Sequence, residues 1–405
     1  MRELPDGWRR VALREVTEER TEKVSTRRKI TVLSSTKYQG LVPSDEYFKN
    51  RTIYSADLSG YKIVRRGWFA YATNHLAEGS IGLQEAFDVA CVSPIYTVFS
   101  CHDDVYPPYM FRVLKSPDLL AKYGVHEQAS VDRRGAVRYR DFRKIEVSIP
   151  SNSEQRRIAE ILDTLDTQIA NQREIFNKLK IVAAAMMDNH LTKIIRAADA
   201  DFPLATLANI ASGVTLGTET GGSIELPYLR VANVQDGYID TSEMKSVNVS
   251  RTDAKRYLLE AGDVLLTEGG DLDKLGRGAV WDARIDPCIC QNHIFRVRCD
   301  KNRLLPEYLA AYCSSHYGKS YFLSIAKQTT NLASINSTQL KNMPIPLPQI
   351  ESQRHLIEMT EAGKERISDE DARLQRLELL KQGLTEDLLT GRVRVSEAEA
   401  VLESL

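Results

Sequence analysis

Seven histidines, six cysteines and 55 acidic side chains are present to act as acids, bases, nucleophiles or metal ligands. Their spacing assembles none of these. No histidine stands beside a paired acid or nucleophile, so the seven read as structural or surface residues. Cys91, Cys101, Cys288, Cys290, Cys299 and Cys313 form no CxxC pair and share no zinc spacing with histidine. They read as free thiols of a reducing cytosol. The glycines from Gly269-Gly270 to Gly276-Arg277-Gly278 lack the spacing of a phosphate or dinucleotide loop and read as a loop between strands. Asp286-Pro287-Cys288-Ile289 lacks the second proline and the aromatic ring with which an adenine methyltransferase holds a flipped base, and reads as a turn. Pro117-Asp118 has no Glu-x-Lys partner for a nuclease metal site. A chain without a catalytic set is expected to recognise rather than to react.

Charge bears on what it recognises. The net charge is −1, which speaks weakly against nucleic acid until its distribution is read. Residues 1–150 carry 24 basic and 19 acidic side chains, residues 301–350 carry 5 and 1, and residues 351–405 carry 8 and 13. A DNA-binding surface needs a local basic patch, not a basic protein. No apolar run reaches the ~18 residues of a membrane span, and the N-terminus has no apolar core of a signal peptide. The chain is expected in the cytoplasm.

The elements that would position a binding surface come in duplicate. Gln155-Arg156-Arg157-Ile158 opens one long helical pattern, and Gln353-Arg354-His355-Leu356 opens another 198 residues later. The offset holds without a gap to Leu191-Thr192 and Leu389-Thr390. A repeat this long is a duplicated module, not a solenoid unit. In the first rod, residues 151–192, Ser151 and Glu154 suit a capping box. Apolar residues then fall at Ile158, Leu162, Leu165, Ile169, Phe176, Leu179, Ala183 and Met186, with Gln172 in the remaining slot. This 4-3 spacing predicts a coiled-coil seam. The second rod, residues 351–391, has a poorer seam: Thr360, Gly363, Glu370 and Lys381 occupy apolar slots, while Leu374, Leu377, Leu384 and Leu388 keep its later half apolar. Gly391 supplies the stop. Each rod is the natural antiparallel partner of the other.

Each rod follows a globular head. Residues 1–150 form the first, 193–203 a linker, 204–350 the second, and 392–405 a tail. Strands are expected at 30–33, 68–71 and 95–99, a short helix at 118–123, and further strands at 228–231, 263–266 and 293–297. Gly67-Trp68-Phe69-Ala70 lines up with Gly262-Asp263-Val264-Leu265, and Ser93-Pro94-Ile95-Tyr96 with Asn292-His293-Ile294-Phe295. The loops between have diverged. The expected fold is mixed α/β: two globular heads separated by two long antiparallel coiled-coil helices, with a pseudo-two-fold internal repeat.

The segments leading into the rods carry a family likeness. DFRKIEVSIPSNSEQRRIAEILDTLDTQI and QLKNMPIPLPQIESQRHLIEM resemble the conserved regions of type I restriction–modification DNA specificity subunits, and LLKQGLTEDLLTGRVRV resembles the usual close of that family. YKIVRRGWFAY with VSPIYTVF, and LEAGDVLLTEGG with INSTQLKNMPIPLP, agree in order. Ser151-Asn152 stands where a second proline and an apolar residue are usual. The resemblance implies two target recognition domains, each reading one half of a bipartite, asymmetric DNA site. It implies rods that act as a ruler and dock two adenine methyltransferase subunits, with restriction/translocase subunits joining them. S-adenosylmethionine, ATP and Mg would then sit on the partner subunits and none in this chain.

Given that likeness, base readers are sought among side chains that fork onto base edges, and phosphate contacts among basic residues at the rim. In the first head these are Lys37, Tyr38, Thr73, Asn74, His75, Arg133, Arg134 and Arg138. In the second they are Arg230, Asn233, Lys274, Arg277, Gln291, Asn292, His293, Lys327 and Asn331. Ile158, Leu162, Leu165, Ile169, Leu179, Leu374, Leu377 and Leu384 are expected to pair the rods and dock the methyltransferase. Within the same class, a related modification-only system would lack the restriction subunits, and two other classes make different predictions. A protein-binding scaffold would show no salt-dependent DNA affinity, and a degenerate methyltransferase would bind S-adenosylmethionine by itself.

Overall fold

A computed structural model describes residues 4–25, 30–49, 51, 53–128, 136–198, 200–215, 224–271, 274–328 and 333–403. Two compact units emerge, residues 1–172 with 373–405, and residues 173–372. Each combines one head with segments of both rods.

In the first unit, Thr17–Glu19, Tyr96–Cys101, Phe69–Ala72 and Ile81–Leu83 form an antiparallel sheet in that order. Leu33–Thr36 and Gly40–Pro43 make a hairpin, Lys62–Arg65 pairs Val89–Val92, and Arg9–Ala12 pairs Glu146–Ile149. Pro107 opens the helix Pro107–Leu114, where its fixed φ is preorganised and its missing N–H would have had no partner. The core is aromatic. The Phe69 and Phe99 rings stack at 4.9 Å, and Tyr71, Tyr139 and Phe142 pack around Phe99.

In the second unit, Ala208–Ser212, Ile294–Cys299, Val264–Thr267 and Gly278–Val280 repeat the same sheet order. Pro306 opens the counterpart helix Pro306–Ser314. Gly67 and Gly262 take φ of +81° and +93° just before equivalent strands, a turn that glycine adopts without a Cβ clash. Ladder register corrects the sequence alignment by one residue. Phe69 pairs Phe99 and Val264 pairs Val297, so Tyr96, not Ile95, is the counterpart of Ile294. A one-residue slip would turn every side chain of that strand to the wrong face.

The first rod is the helix Asn152–Ala197, which runs five residues past the end that the sequence pattern indicated. Leu191 and Ile194 extend its buried stripe into the second unit's core, so the expected linker begins helical and ends in the strand Asp201–Pro203. The second rod is Ile350–Thr390, closed by Gly391 at φ +71°. The tail is not irregular: Val395–Glu403 forms a helix that buries Val395 and Ala398 in the first unit's core. Only half of the expected capping box forms. The Glu154 amide donates to Ser151 Oγ at 3.4 Å, while the Glu154 carboxylate pairs with Arg394 at 3.2 Å.

Within each unit the rod segments run antiparallel. In the first, Ile169 packs with Leu374 and Leu377, and Asp166 pairs with Lys381. Ile158, Leu162, Leu165 and Leu384 also join the head's core, so they anchor the head as well as the seam. In the second, Gly363 faces Ala183 and the His190 and His355 rings lie 5.1 Å apart. Leu179 is half-buried. No helix among the described residues is long and apolar enough to cross a membrane.

Candidate nucleic-acid interface

One edge of each head is built alike and lined differently. The strand Phe69–Ala72 ends at Thr73, whose Oγ1 donates to the Ile95 carbonyl at 3.4 Å. The equivalent strand Val264–Thr267 ends near Glu268, whose amide donates to the His293 carbonyl at 3.0 Å. The Glu268 carboxylate also meets His293 Nδ1 at 2.7 Å. The same two backbone positions are therefore tied together in both heads, with a hydroxyl and an isoleucine in one and an acid and a histidine in the other.

In the first head, further candidates gather around Thr73. The Val137 amide donates to the Thr73 carbonyl, which brings exposed Arg138 to that loop. Asn74 Oδ1 is buried without a hydrogen-bond partner among the described residues, and His75 meets Glu78 at 2.9 Å. Lys37 and Tyr38 form the tip of the hairpin, with Tyr38 85% exposed and Lys37 Nζ 5.3 Å from its ring centre. Lys115 joins this tip to the Thr73 loop. Its Nζ donates to the Lys37 carbonyl at 2.6 Å and the Gly79 carbonyl at 2.7 Å. Burial pushes the Lys115 ammonium pKa down, because desolvation disfavours the charged form. Arg133 and Arg134 lie outside the described residues.

In the second head, Asn233 requires a correction. It is only 3% exposed. Its Oδ1 accepts from the Arg230 amide at 2.9 Å, and its Nδ2 donates to the carbonyls of Asp240 and Glu243. That amide closes a turn and has nothing to offer a base. Arg230 braces the same turn through the Glu243 carbonyl at 2.9 Å and the Glu243 carboxylate at 3.3 Å, while its Nε is buried without a partner among the described residues. The glycine segment is also corrected: Gly269–Gly270 is a strand paired with Ala333–Ser334, which in turn pairs Lys327–Gln328. This small sheet carries exposed Lys327, while Lys274 is held by Asp271. Arg277 makes no ion pair among the described residues and its Nε is buried without a partner. Gln291 and Asn292 are held by their backbones, Gln291 N to the Leu229 carbonyl and Asn292 N to the Val214 carbonyl. Their half-buried side-chain amides make no hydrogen bond among the described residues. Asn331 lies outside them.

Two residues that the sequence had marked only as repeats of each other prove to be structural joints. Gln155 and Gln353 are 1% and 0% exposed. Each ties its rod's first turn to the head. Lys115 gave no signal at all, since a lysine after a helix reads as a solvated residue. Among the described residues no three His, Cys, Asp or Glu side chains are placed to hold a metal.

The family model for the type I restriction modification DNA specificity domain matches residues 119–180 and 201–378. The chain is similar to a putative type I restriction enzyme MjaX specificity subunit from Methanocaldococcus jannaschii, 27% identical over 182 residues, covering 45% of this chain and 43% of that one. The EcoKI specificity subunit of Escherichia coli K12 is 24% identical over 237 residues, covering 54% and 51%. The chain thus spans about half the length of the curated relatives it matches. Its fold matches the HsdS subunit from Thermoanaerobacter tengcongensis with a TM-score of 0.58 at 18% identity, covering 97% of this chain and 99% of that one. A chain from a structure titled for complex assembly and conformational transition of the type I R-M system matches with a TM-score of 0.63 at 18% identity, covering 97% and 100%.

Proposed function

This chain belongs to the type I restriction modification DNA specificity family, and we propose that its two heads each read one half of a split, asymmetric DNA site. The observation that carries this reading is the shared edge with unlike linings. Thr73 and Ile95 in one head stand where Glu268 and His293 stand in the other. One frame presenting two chemistries suits two different half-sites. Specific contacts would come from groups left with unused hydrogen-bonding capacity: Asn74 beside Thr73, and Arg277, Gln291 and Asn292 in the second head. Lys37, Arg138 and Lys327 would meet phosphates.

The rods would set the gap and receive two adenine methyltransferase subunits. Ile181 and Leu379 are 70% and 68% exposed, and they stand 198 residues apart at equivalent points of the repeat. Large apolar side chains exposed at both repeats of one position suit two copies of one partner. Restriction/translocase subunits would join that complex, and S-adenosylmethionine, ATP and Mg would be held by the partners.

Co-expression with the modification subunits, followed by mapping of methyladenine in host DNA, tests this. The expected result is one split motif of two unlike halves with a fixed gap. A palindromic motif would sink the two-chemistry argument. No methylation and no salt-sensitive DNA binding by the complex would favour a protein scaffold.

A further inference from the structure

We propose that Gln155 and Gln353 are positioning residues that fix the angle at which each head leaves its rod, and thereby hold the gap between half-sites to one length. The proposal rests on the split-site reading above.

Gln155 Oε1 accepts from the Tyr106 amide at 2.8 Å, and its Nε2 donates to the carbonyls of Pro150 at 3.0 Å and Asp104 at 3.3 Å. Gln353 Oε1 accepts from the Leu305 amide at 2.8 Å, and its Nε2 donates to the carbonyls of Arg303 at 2.8 Å and Pro348 at 3.1 Å. The two sets correspond group for group. Tyr106 and Leu305 are the N-caps of the proline-started head helices, and Pro150 and Pro348 end the strand-bearing segments that enter the rods. Each amide therefore binds three pieces: the rod's first turn, the head helix and the last head segment.

Packing alone does not call for glutamine here. A leucine or methionine would fill the volume but leave the Tyr106 or Leu305 amide and the facing carbonyls without this partner, so the glutamine is there for its hydrogen bonds. Apolar contact is non-directional and tolerates a pivot, whereas three hydrogen bonds from one planar group do not. The surrounding contacts differ between the units. Arg112 reaches Asp163 and Asp166 in the first, and Ala311, Glu361 and Lys364 occupy the corresponding places of the second. The amide joint is common to both. A head pivoting by ~6° would move a surface ~30 Å away by ~3 Å, close to the ~3.4 Å step of one base pair.

The test is to prepare Gln155→Met, Gln353→Met and the double variant in the full chain, co-express each with the modification subunits, and map methylated adenines. Expected are unchanged bases in both half-sites with methylation spreading to gaps about one base pair longer and shorter. The double variant should spread furthest. Gln155→Glu, which keeps an acceptor and loses both donors, should spread as the methionine variant does, and it supplies the same readout if the methionine variant does not assemble. A single unchanged gap in these variants would show that the amide only fills space and would overturn the proposal. Lost base selectivity at an unchanged gap would also overturn it, placing the glutamine's effect inside the head. If the unsubstituted complex methylates no split motif, the split-site reading fails instead.

Discussion

Lys115→Met should weaken reading by the first head alone. The ammonium donates to the carbonyl of Lys37, at the hairpin tip beside Tyr38, and to that of Gly79, at the end of the loop that carries Thr73 to His75. Methionine keeps much of the stem and loses only the ammonium, which also lies 5.9 Å from the Phe111 ring centre. Hydrogen bonds from a charged donor contribute about 1.5–3 kcal/mol each. The lowered pKa shows that burial already opposes the charge, and solvent screens a half-exposed ammonium, so the net for the pair falls to roughly 1–2 kcal/mol. DNA would have to order the released loops at that cost, which lowers affinity ~5- to 30-fold. The assay measures affinity of the assembled complex for duplexes in which either half-site is scrambled, over a salt series. The variant should lose affinity only where the first head's half-site is intact, with an unchanged salt slope, because the ammonium is spent inside the protein. Removing a cation that neutralises a phosphate would instead lower the slope by ~0.9. A slope reduced by about one would show that Lys115 touches phosphate itself, and equal loss at both half-sites would refute the division of labour.

Asn74→Ala should change stability by no more than ~0.5 kcal/mol, since its buried oxygen has no partner to lose, yet alter base preference at the first half-site; a loss above ~2 kcal/mol in chemical denaturation would mark it as structural. Arg277→Ala and Asn233→Ala should part company. The first should keep its melting temperature and relax one position of the second half-site by ~1–3 kcal/mol, while the second should lose roughly 2–4 kcal/mol of stability through its three backbone partners, as thermal melts and motif sequencing would show. Leu165→Asp buries a carboxylate at a fully buried site shared by rod and head, so it should cost more than ~4 kcal/mol and abolish cooperative melting of the first unit; a folded head with separated rods would contradict the shared core. Burial, then His355 and Lys193, lower the His190 pKa below 6.5. The unfolded chain then binds more protons across the window just below 6.5, so stability rises with pH there and is lost as pH falls through it. His190→Gln should flatten that slope in denaturant titrations at stepped pH.

The rods were legible because their signal is periodic and doubled. Ile158, Leu162, Leu165 and Ile169 recur at helical spacing, and a 198-residue offset repeats the run. Their ends were less so. Nothing between Thr192 and Pro203 breaks a helix sharply, and the helix stops only after Leu191 and Ile194 have reached the second core. The base-reading residues were least legible, since an asparagine after a strand reads alike in either head. Asn233 ends with three backbone partners because the carbonyls of Asp240 and Glu243 and the Arg230 amide converge on it, whereas the groups that bury the Asn74 oxygen supply no donor among the described residues. Gln155 and Gln353 fail in the opposite direction. A polar residue in a helix's first turn reads as solvated, but the amide and one of the two carbonyls that bury it arrive from about fifty residues upstream.

The polar slots of the second rod make the same point about pairs. Lys381 breaks the apolar pattern when the rod is read alone, yet it lies against Asp166 of the first rod, with Arg112 on the same acid. Gly363 gives no side chain to a seam, but Ala183 opposite it means that two small residues meet and the backbones approach closely. Thr360 returns its hydroxyl to the Leu356 carbonyl at 2.8 Å and so exposes no unpaired donor to its neighbour. A seam is a property of two surfaces. A sequence pattern scores one surface at a time, so it underrates any slot whose complement is a charge or a gap on the other helix. Exchanging Lys381 for leucine would improve the pattern and leave Asp166 with only Arg112 to neutralise it. Lys381 and Asp166 are 33% and 42% exposed, so the lost pair costs ~1 kcal/mol at most and the partly exposed leucine returns a similar amount; the better heptad should therefore change stability by less than ~1 kcal/mol, and a larger gain in denaturant titration would show that the slot is an apolar one after all.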